Sequence, residues 1–90
     1  MNKIENYLIN KKIRPNIKEF YYLKTAIELV MSDITYIFDI TKRLYPEIGK
    51  LYNETGAMVE RAMRYAIRMH ALNDKYNVSE FIGIAVLELK

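Results

Sequence analysis

The sequence predicts an all-α fold of about five helices in one domain spanning residues 1–90. Apolar residues recur at intervals of three and four positions in most segments, as they do along one face of an α-helix. Glycine and proline are few, three and two residues, and hydrophobic residues make up 51% of the chain. No segment alternates apolar and polar residues in the manner of a half-buried strand. These observations predict a compact helical protein with one core, and they argue against disorder.

The amino-terminal third predicts a short helix followed by a long one. Apolar residues at helical spacing indicate the short helix: Ile4, Tyr7 and Leu8. It ends in a basic connection before Pro15, and Asn16 with Glu19 then has the spacing of a capping box. The long helix is expected to be the central element of the fold and carries this apolar set: Ile17, Phe20, Tyr21, Leu23, Ile27, Val30, Met31 and Ile34. Ser32 and Asp33 either end it or begin another helix.

Residues 41–72 predict two helices joined by a tight turn. The first is expected at about residues 45–52, and Asn53 suits a left-handed stop after it. Thr55 suits the cap of the second helix, expected at about residues 56–72. Together they have the form of a helix-turn-helix, in which the second helix lies in the major groove of DNA.

The second of these helices separates an apolar face from a charged face at 100° per residue. The apolar face consists of Val59, Ala62, Met63, Ala66 and His70, and the charged face of Glu60, Arg61, Arg64 and Arg68. Three positions of the charged face are Arg and none is Lys, and the Arg side chain is suited to bidentate pairing with guanine. A bundle helix with a solvated charged face would show the same pattern, so that alternative remains open.

The charged face leads to specific predictions of DNA contacts. Arg61 and Arg64 are predicted to read base edges, mainly guanines, while Glu60 either accepts from cytosine N4 or holds a neighbouring Arg in place. Contacts to the DNA backbone are predicted at five further positions: Lys42, Arg43, Lys50, Thr55 and Arg68. Double-stranded promoter DNA is therefore the predicted partner.

The positions of the basic residues support a nucleic-acid partner more strongly than the net charge of the chain does. The formal net charge is only +3. Residues 1–18 nevertheless carry five basic residues against one acidic residue, and residues 40–69 carry six against three. Basic charge is thus concentrated at the amino end and around the predicted reading helix. The amino-terminal charge is either an arm that contacts DNA or a solvated helix end.

Several other classes of function have little support. The chain has no cysteine and one histidine, His70, so neither a disulfide framework nor a metal site is expected, and no cofactor is expected. An enzyme is disfavoured because no phosphate-binding loop or nucleophile elbow is present. The longest apolar run, residues 81–87, is too short to span a membrane, and the first ten residues lack the pattern of a signal peptide. A cytoplasmic location is expected.

The last predicted helix supports an alternative function. A polar loop at Asn73, Asp74 and Asn77 precedes it, and either Asn77 or Ser79 can cap it. The helix, residues 81–89, is apolar on nearly all sides, so it is either deeply buried or half of a dimer contact. In the alternative interpretation the chain is a helical interaction or dimerisation module that modulates a regulator without reading DNA.

Four segments of the sequence resemble one known family: IRPNIKEFYYLKTAIELVMSDI, ITKRLYPEIGKLYN, VERAMRYAI and NVSEFI. The chain resembles the DNA-binding effector domain of the stage-zero sporulation protein A family, the master response regulators of endospore formation. The resemblance implies a helical domain that recognises short promoter boxes, often in tandem, which would bring two copies together as a homodimer. It also implies that Glu60, Arg61 and Arg64 coincide with residues that the family uses on its recognition helix.

The chain departs from the family pattern at three points. Met58 and Tyr65 stand where the family commonly has Arg and His, so a different preferred base sequence is expected. The family's longer excursion before the last helix, associated with contact to the sigma subunit of RNA polymerase, is short here, which leaves that contact open. Ninety residues cannot also hold the family's receiver domain, so the chain corresponds either to an excised effector domain or to a free-standing relative.

Overall fold

Five α-helices and two short helical turns make up the part of the chain that the structure describes. The structure is a computed structural model and describes residues 2–70 and 76–90. The helices are α1 (Lys3–Asn10), α2 (Lys18–Ser32), α3 (Tyr45–Tyr52), α4 (Gly56–His70) and α5 (Val78–Leu89). A 3₁₀ helix, Ile34–Phe38, and a π-helical turn, Ile40–Leu44, connect α2 to α3. The prediction of an all-α fold is confirmed, and none of these described helices is long and apolar enough to cross a membrane.

The core is built around α2, which packs against α1, α3, α4 and α5. The buried residues of α2 are Phe20, Tyr22, Leu23, Thr25, Ala26, Ile27 and Val30. Those of α5 are Val78, Phe81, Ile82, Ala85, Val86 and Leu89. The prediction that α2 is the central element is confirmed, and one face of α5 is buried within its own chain. Removing this apolar surface from water is the main source of stability for so short a chain.

Ile13 is buried, although it lies in the segment after α1 that the sequence predicted to be a basic connection. Lys12 has a left-handed backbone, with φ 71°. Its N–H donates to the Ile9 carbonyl at 2.9 Å, and the Ile13 N–H donates to the Leu8 carbonyl at 3.0 Å. This is a Schellman motif, in which the residue after the left-handed position packs on the last turn of the helix. Leu8 and Ile13 are accordingly both fully buried.

The predicted capping box at the start of α2 is wrong. The helix begins one residue later than that box requires, so its N-cap is Ile17, which makes no side-chain cap hydrogen bond. Ile17 is half-buried and packs against the core. The apolar contact of Ile17 therefore determines where α2 begins, and the amide of Asn16 is left outside the helix.

The end of α2 shows that both alternatives for Asp33 hold at once. The Asp33 backbone is extended and closes the helix, with its N–H donating to the Leu29 carbonyl at 2.9 Å. Its carboxylate then accepts the Thr35 N–H at 3.0 Å and caps the 3₁₀ helix. Ile34, predicted to belong to the long helix, lies in the 3₁₀ helix and is exposed.

The turn between α3 and α4 follows the predicted chemistry. Asn53 has φ 58° and ψ 47°, so the predicted left-handed stop is confirmed. The N–H groups of Asn53 and Glu54 both donate to the Gly49 carbonyl, the latter at 2.8 Å. The Thr55 hydroxyl then accepts the Met58 N–H at 3.1 Å, which confirms Thr55 as a cap. The predicted end of the second helix, at residue 72, lies outside the described residues.

Two glycines allow the backbones of this turn to approach closely. A Cβ atom at Gly49 would overlap the Glu54 carbonyl oxygen, and one at Gly56 would lie 3.1 Å from the Pro46 nitrogen. The far end of α3 is held by the Tyr52 hydroxyl, which lies 2.7 Å from the Thr25 hydroxyl of α2. These contacts determine the position of α3 and α4 relative to α2.

The close approach at Gly49 predicts the result of a Gly49→Ala substitution. We expect it to lower the free energy of unfolding by roughly 1–3 kcal/mol, the usual cost of overpacking, because the obstructing atoms belong to the backbone. Gly83→Ala in α5 is the matched control, since the atom nearest its Cβ is the end of the Ile37 side chain at 4.0 Å. Higher helix propensity should there raise the free energy of unfolding by up to about 1 kcal/mol. Urea denaturation measures the free energy of unfolding of both variants. Equal changes in the two variants would contradict the close approach of the backbones at Gly49.

Candidate nucleic-acid interface

The outward face of α4 carries the predicted arginine row. Val59, Met63, Ala66 and Ile67 are buried on the inward face. Arg61, Arg64 and Arg68 are all exposed on the other side. At 100° per residue, Arg68 lies within about 20° of Arg61 around the helix axis, and Arg64 lies about 60° from Arg61. Burial of the apolar face thus directs all three guanidinium groups towards solvent.

Glu60 and Arg64 form an ion pair along this helix. The Glu60 carboxylate lies 3.8 Å from the Arg64 guanidinium, at the i, i+4 spacing. The Glu60 side chain is 31% exposed and that of Arg64 is 49% exposed, so water screens the pair. Such pairs stabilise a helix by only about 0.2–0.5 kcal/mol, and the main effect is to orient the guanidinium. Of the two predicted roles of Glu60, this geometry favours holding a neighbouring Arg.

The start of α5 lies beside α4, across a groove with a volume of about 430 Å³. The groove is lined by Thr41, Tyr45, Gly56, Ala57, Glu60, Asn77, Val78 and Ser79. Asn77 and Glu80 form a capping box at the start of α5, so of the two predicted caps the structure has Asn77. A smaller cleft of about 200 Å³ continues along α4 past Arg64 and Arg68 to Tyr76. The start of α5 therefore borders the arginine row without covering it.

Tyr45 lines the groove of about 430 Å³ between α4 and the start of α5. Its side chain is 6% exposed. Burial and the nearby charge of Glu60 together raise the pKa of Tyr45 to about 12, and the charge of Arg64 opposes them. The phenol therefore stays protonated at any physiological pH. A hydrogen-bond donor is thus available at the edge of the interface, a position that the sequence had not indicated.

A second concave surface, of about 700 Å³, lies on the other side of the turn. It is lined by Pro46, Gly49, Lys50, Asn53, Glu54, Thr55, Gly56 and Met58. The structure thus brings two predicted backbone-contact residues, Lys50 and Thr55, to one surface at the start of α4. Lys42 is exposed on the π-helical turn, next to Thr41 of the groove. Backbone N–H groups at the start of α4 add partial positive charge here.

Arg43 is engaged in a network within the chain. Its two terminal nitrogens donate to the Thr35 hydroxyl at 2.6 Å and to the Asp33 carboxylate at 2.9 Å. The guanidinium also lies 4.0 Å from the centre of the Tyr36 ring. Hydrogen bonds from Thr35 and then from Arg43 lower the pKa of Asp33 to about 2. The predicted phosphate contact of Arg43 would compete with these interactions, which join the end of α2 to the π-helical turn.

His70, which the sequence placed on the apolar face of its helix, lies at the boundary between core and solvent. Its side chain is half-buried at the end of α4, and its ring makes an edge contact with the Tyr65 ring at a centroid distance of 6.4 Å. Within residues 2–70 and 76–90, no three His, Cys, Asp or Glu side chains are grouped as metal ligands would be.

A comparison with known protein families adds an independent observation. Residues 4–89 match the family described as "Sporulation initiation factor Spo0A C terminal". This chain belongs to that family. The Spo0A C-terminal family consists of effector domains of sporulation response regulators, which bind DNA and regulate transcription, and it is not a known family of enzymes. The matched range also spans residues 68–76, which lie between the last two segments on which the resemblance rested.

The Arg43 network predicts a pH-dependent contribution to stability. Because the pKa of Asp33 is about 2 in the folded chain against 3.8 for the free group, its charged form stabilises the fold above pH 3.8. That stabilisation is lost as the pH falls towards 2. Wild type should therefore unfold at a higher urea concentration than Asp33→Asn at neutral pH, and the difference should shrink between pH 3.8 and 2.

The Asp33→Asn substitution isolates the charge, because the Asn oxygen can still accept the Thr35 N–H. Adding Arg43→Gln should lower the urea midpoint less in the Asp33→Asn background than in wild type, since the two groups interact. A difference between wild type and Asp33→Asn that stays constant from pH 7 to pH 2 would contradict the ion pair.

Proposed function

We propose that this chain is a sequence-specific DNA-binding domain that regulates transcription by placing α4 in the major groove of a promoter site. The observation that carries the proposal is the outward face of α4, where Arg61, Arg64 and Arg68 are exposed opposite a fully buried apolar face. The major groove of B-DNA is about 12 Å wide and admits one α-helix. In this proposal residues 1–90 are one domain, and residues 41–72 are its helix-turn-helix, with α3 crossing the DNA backbone.

Base recognition is assigned to the second and third turns of α4. Arg61 and Arg64 each present a planar fork of donors that matches the O6 and N7 acceptors of guanine. Glu60 keeps Arg64 oriented through their ion pair, and it can accept from cytosine N4 only when that pair opens. Each well-formed bidentate contact contributes roughly 1–3 kcal/mol of discrimination against the wrong base.

Backbone recognition is assigned to residues on either side of α4. Lys50 and Thr55 share the surface at the start of α4, Lys42 lies on the π-helical turn, and Arg68 continues the outward face. Contacts of this kind position the protein and make binding salt-dependent, but they carry no sequence information directly. Arg43 contributes indirectly in this proposal, because its network holds the turn that presents Lys42.

The alternative of a pure interaction module has less support from the geometry. α5 was the predicted interaction helix, yet six of its twelve residues are buried within its own chain. Its largest exposed apolar side chain is Leu87, at 70%. An interaction module would also have no use for an outward row of three arginines. Contact with RNA polymerase and pairing of copies on tandem sites form no part of the proposal.

Selection from a random DNA pool, followed by fluorescence anisotropy on the selected duplex, tests this function. We expect Arg61→Ala and Arg64→Ala each to weaken binding of that duplex by about 5- to 150-fold, the equivalent of one bidentate contact. Lys50→Ala should weaken binding to all duplexes alike and reduce the slope of log affinity against log salt by about one.

Lys3→Ala is the matched control for loss of one positive charge. The Lys3 ammonium donates to the Leu89 carbonyl at the far end of α5, about 18 Å along that helix from its start beside α4. At physiological salt, screening over about 8 Å should leave binding nearly unchanged in this variant. Failure to select any duplex at low salt would overturn the proposal. Specific binding that survives both Arg substitutions would overturn the assignment of base contacts.

A further inference from the structure

Large apolar side chains are exposed on the same face of α4 as the arginines. Met58 is 51% exposed and Tyr65 is 57% exposed. Both belong to a helix whose inward face already fills the core, so packing within the chain does not explain them. The polar edges of guanine and phosphate do not use the Met58 side chain or the carbon surface of the Tyr65 ring either.

Met58 and Tyr65 form one strip on the helix. They are seven residues apart, which places them within about 20° of each other around the axis and about 10 Å apart along it. Arg61 lies between them, about 40–60° to one side. A helix that lies in the major groove can therefore present both side chains to the bases together with the guanidinium of Arg61. Met69, also exposed, lies about 16 Å along the axis from Met58 and falls outside that span.

Thymine is the base that carries an apolar group in the major groove, its C5-methyl. An apolar strip beside an arginine row thus matches a groove in which thymine methyl groups adjoin guanine acceptors. We propose that Met58 and Tyr65 contact thymine methyl groups and so determine a preference for thymine on either side of the base read by Arg61. This inference rests on the proposed function, since it requires α4 to lie in the major groove.

The Tyr65 hydroxyl could instead donate a hydrogen bond to a DNA phosphate. Within residues 2–70 and 76–90 it makes no hydrogen bond, and its ring meets only the edge of the His70 ring among the aromatic side chains described there. A phenol that reached a phosphate would contribute affinity on any sequence, whereas a ring that covers a methyl group contributes only at thymine. Tyr65→Phe separates these uses because it removes the hydroxyl and keeps the ring.

Replacement of thymine by deoxyuridine tests the inference, because it removes the methyl group and leaves the hydrogen-bonding edge unchanged. The probe is the duplex selected by the wild-type chain, remade with deoxyuridine at one thymine position at a time. Burial of one methyl-sized group is equivalent to about 0.8 kcal/mol, so each contacted thymine should give about fourfold weaker binding on replacement. Two or more such positions are expected, flanking a guanine whose recognition is lost in Arg61→Ala.

The variants assign each methyl contact to a side chain. Met58→Ala should abolish the fourfold difference at one position and Tyr65→Ala at another, while Tyr65→Phe retains it. Met31→Ala is the matched control, because Met31 is 42% exposed at the end of α2 and lines a cleft with Ile4 and Leu89, away from the outward face of α4. That variant should show the same deoxyuridine effects as wild type.

The outcomes distinguish this inference from the function on which it rests. Failure to select a duplex overturns the proposed function. Selection of a duplex that depends on Arg61 but tolerates deoxyuridine at every position overturns the thymine contacts alone. If Tyr65→Phe weakens thymine and deoxyuridine duplexes equally, the Tyr65 contact is to phosphate and its part of the inference fails. Loss of the deoxyuridine effect in Met31→Ala would overturn the assignment to α4.

Discussion

The packing of one face of α4 against the core determines which side chains of that helix face solvent and can bind a partner. Val59, Met63, Ala66 and Ile67 leave no freedom to rotate the helix, because rotation would expose apolar surface and create voids. The positions of Arg61 and Arg64 follow from this burial rather than from contacts of their own. The ion pair between Arg64 and Glu60, at 3.8 Å, is long and exposed. The buried apolar face of α4 therefore holds the helix rigidly, and its outward polar face remains accessible to a partner.

The turn before α4 completes this constraint at the level of the backbone. One carbonyl, that of Gly49, accepts two N–H groups, and the left-handed conformation of Asn53 reverses the chain within three residues. The Tyr52 hydroxyl links the same region to α2 through Thr25. α3, the turn and α4 thus have few alternative arrangements relative to the core, which is the condition for a preorganised binding surface.

The sequence predicted those features that depend on neighbouring residues and missed those that depend on distant ones. The bounds of α3, the stop at Asn53 and the cap at Thr55 follow from local side-chain chemistry, and the structure confirms them. The true start of α2 depends on burial of Ile17, a tertiary contact. The engagement of Arg43 depends on a 3₁₀ helix and a π-helical turn that bring Asp33 near it, and no short-range pattern indicates such turns. The position of α5 beside α4 likewise follows from packing across the whole core.

The opposition of the two faces of α4 has a consequence for how this domain can diversify. Met58 and Tyr65 are both more than half exposed, so substitutions there can accumulate at little cost to the free energy of folding. An insertion of one residue within α4, by contrast, would turn all the residues after it by about 100° relative to the buried face. Divergence among related domains should thus proceed by exchange of outward side chains, with the spacing between the buried and outward positions of α4 kept constant.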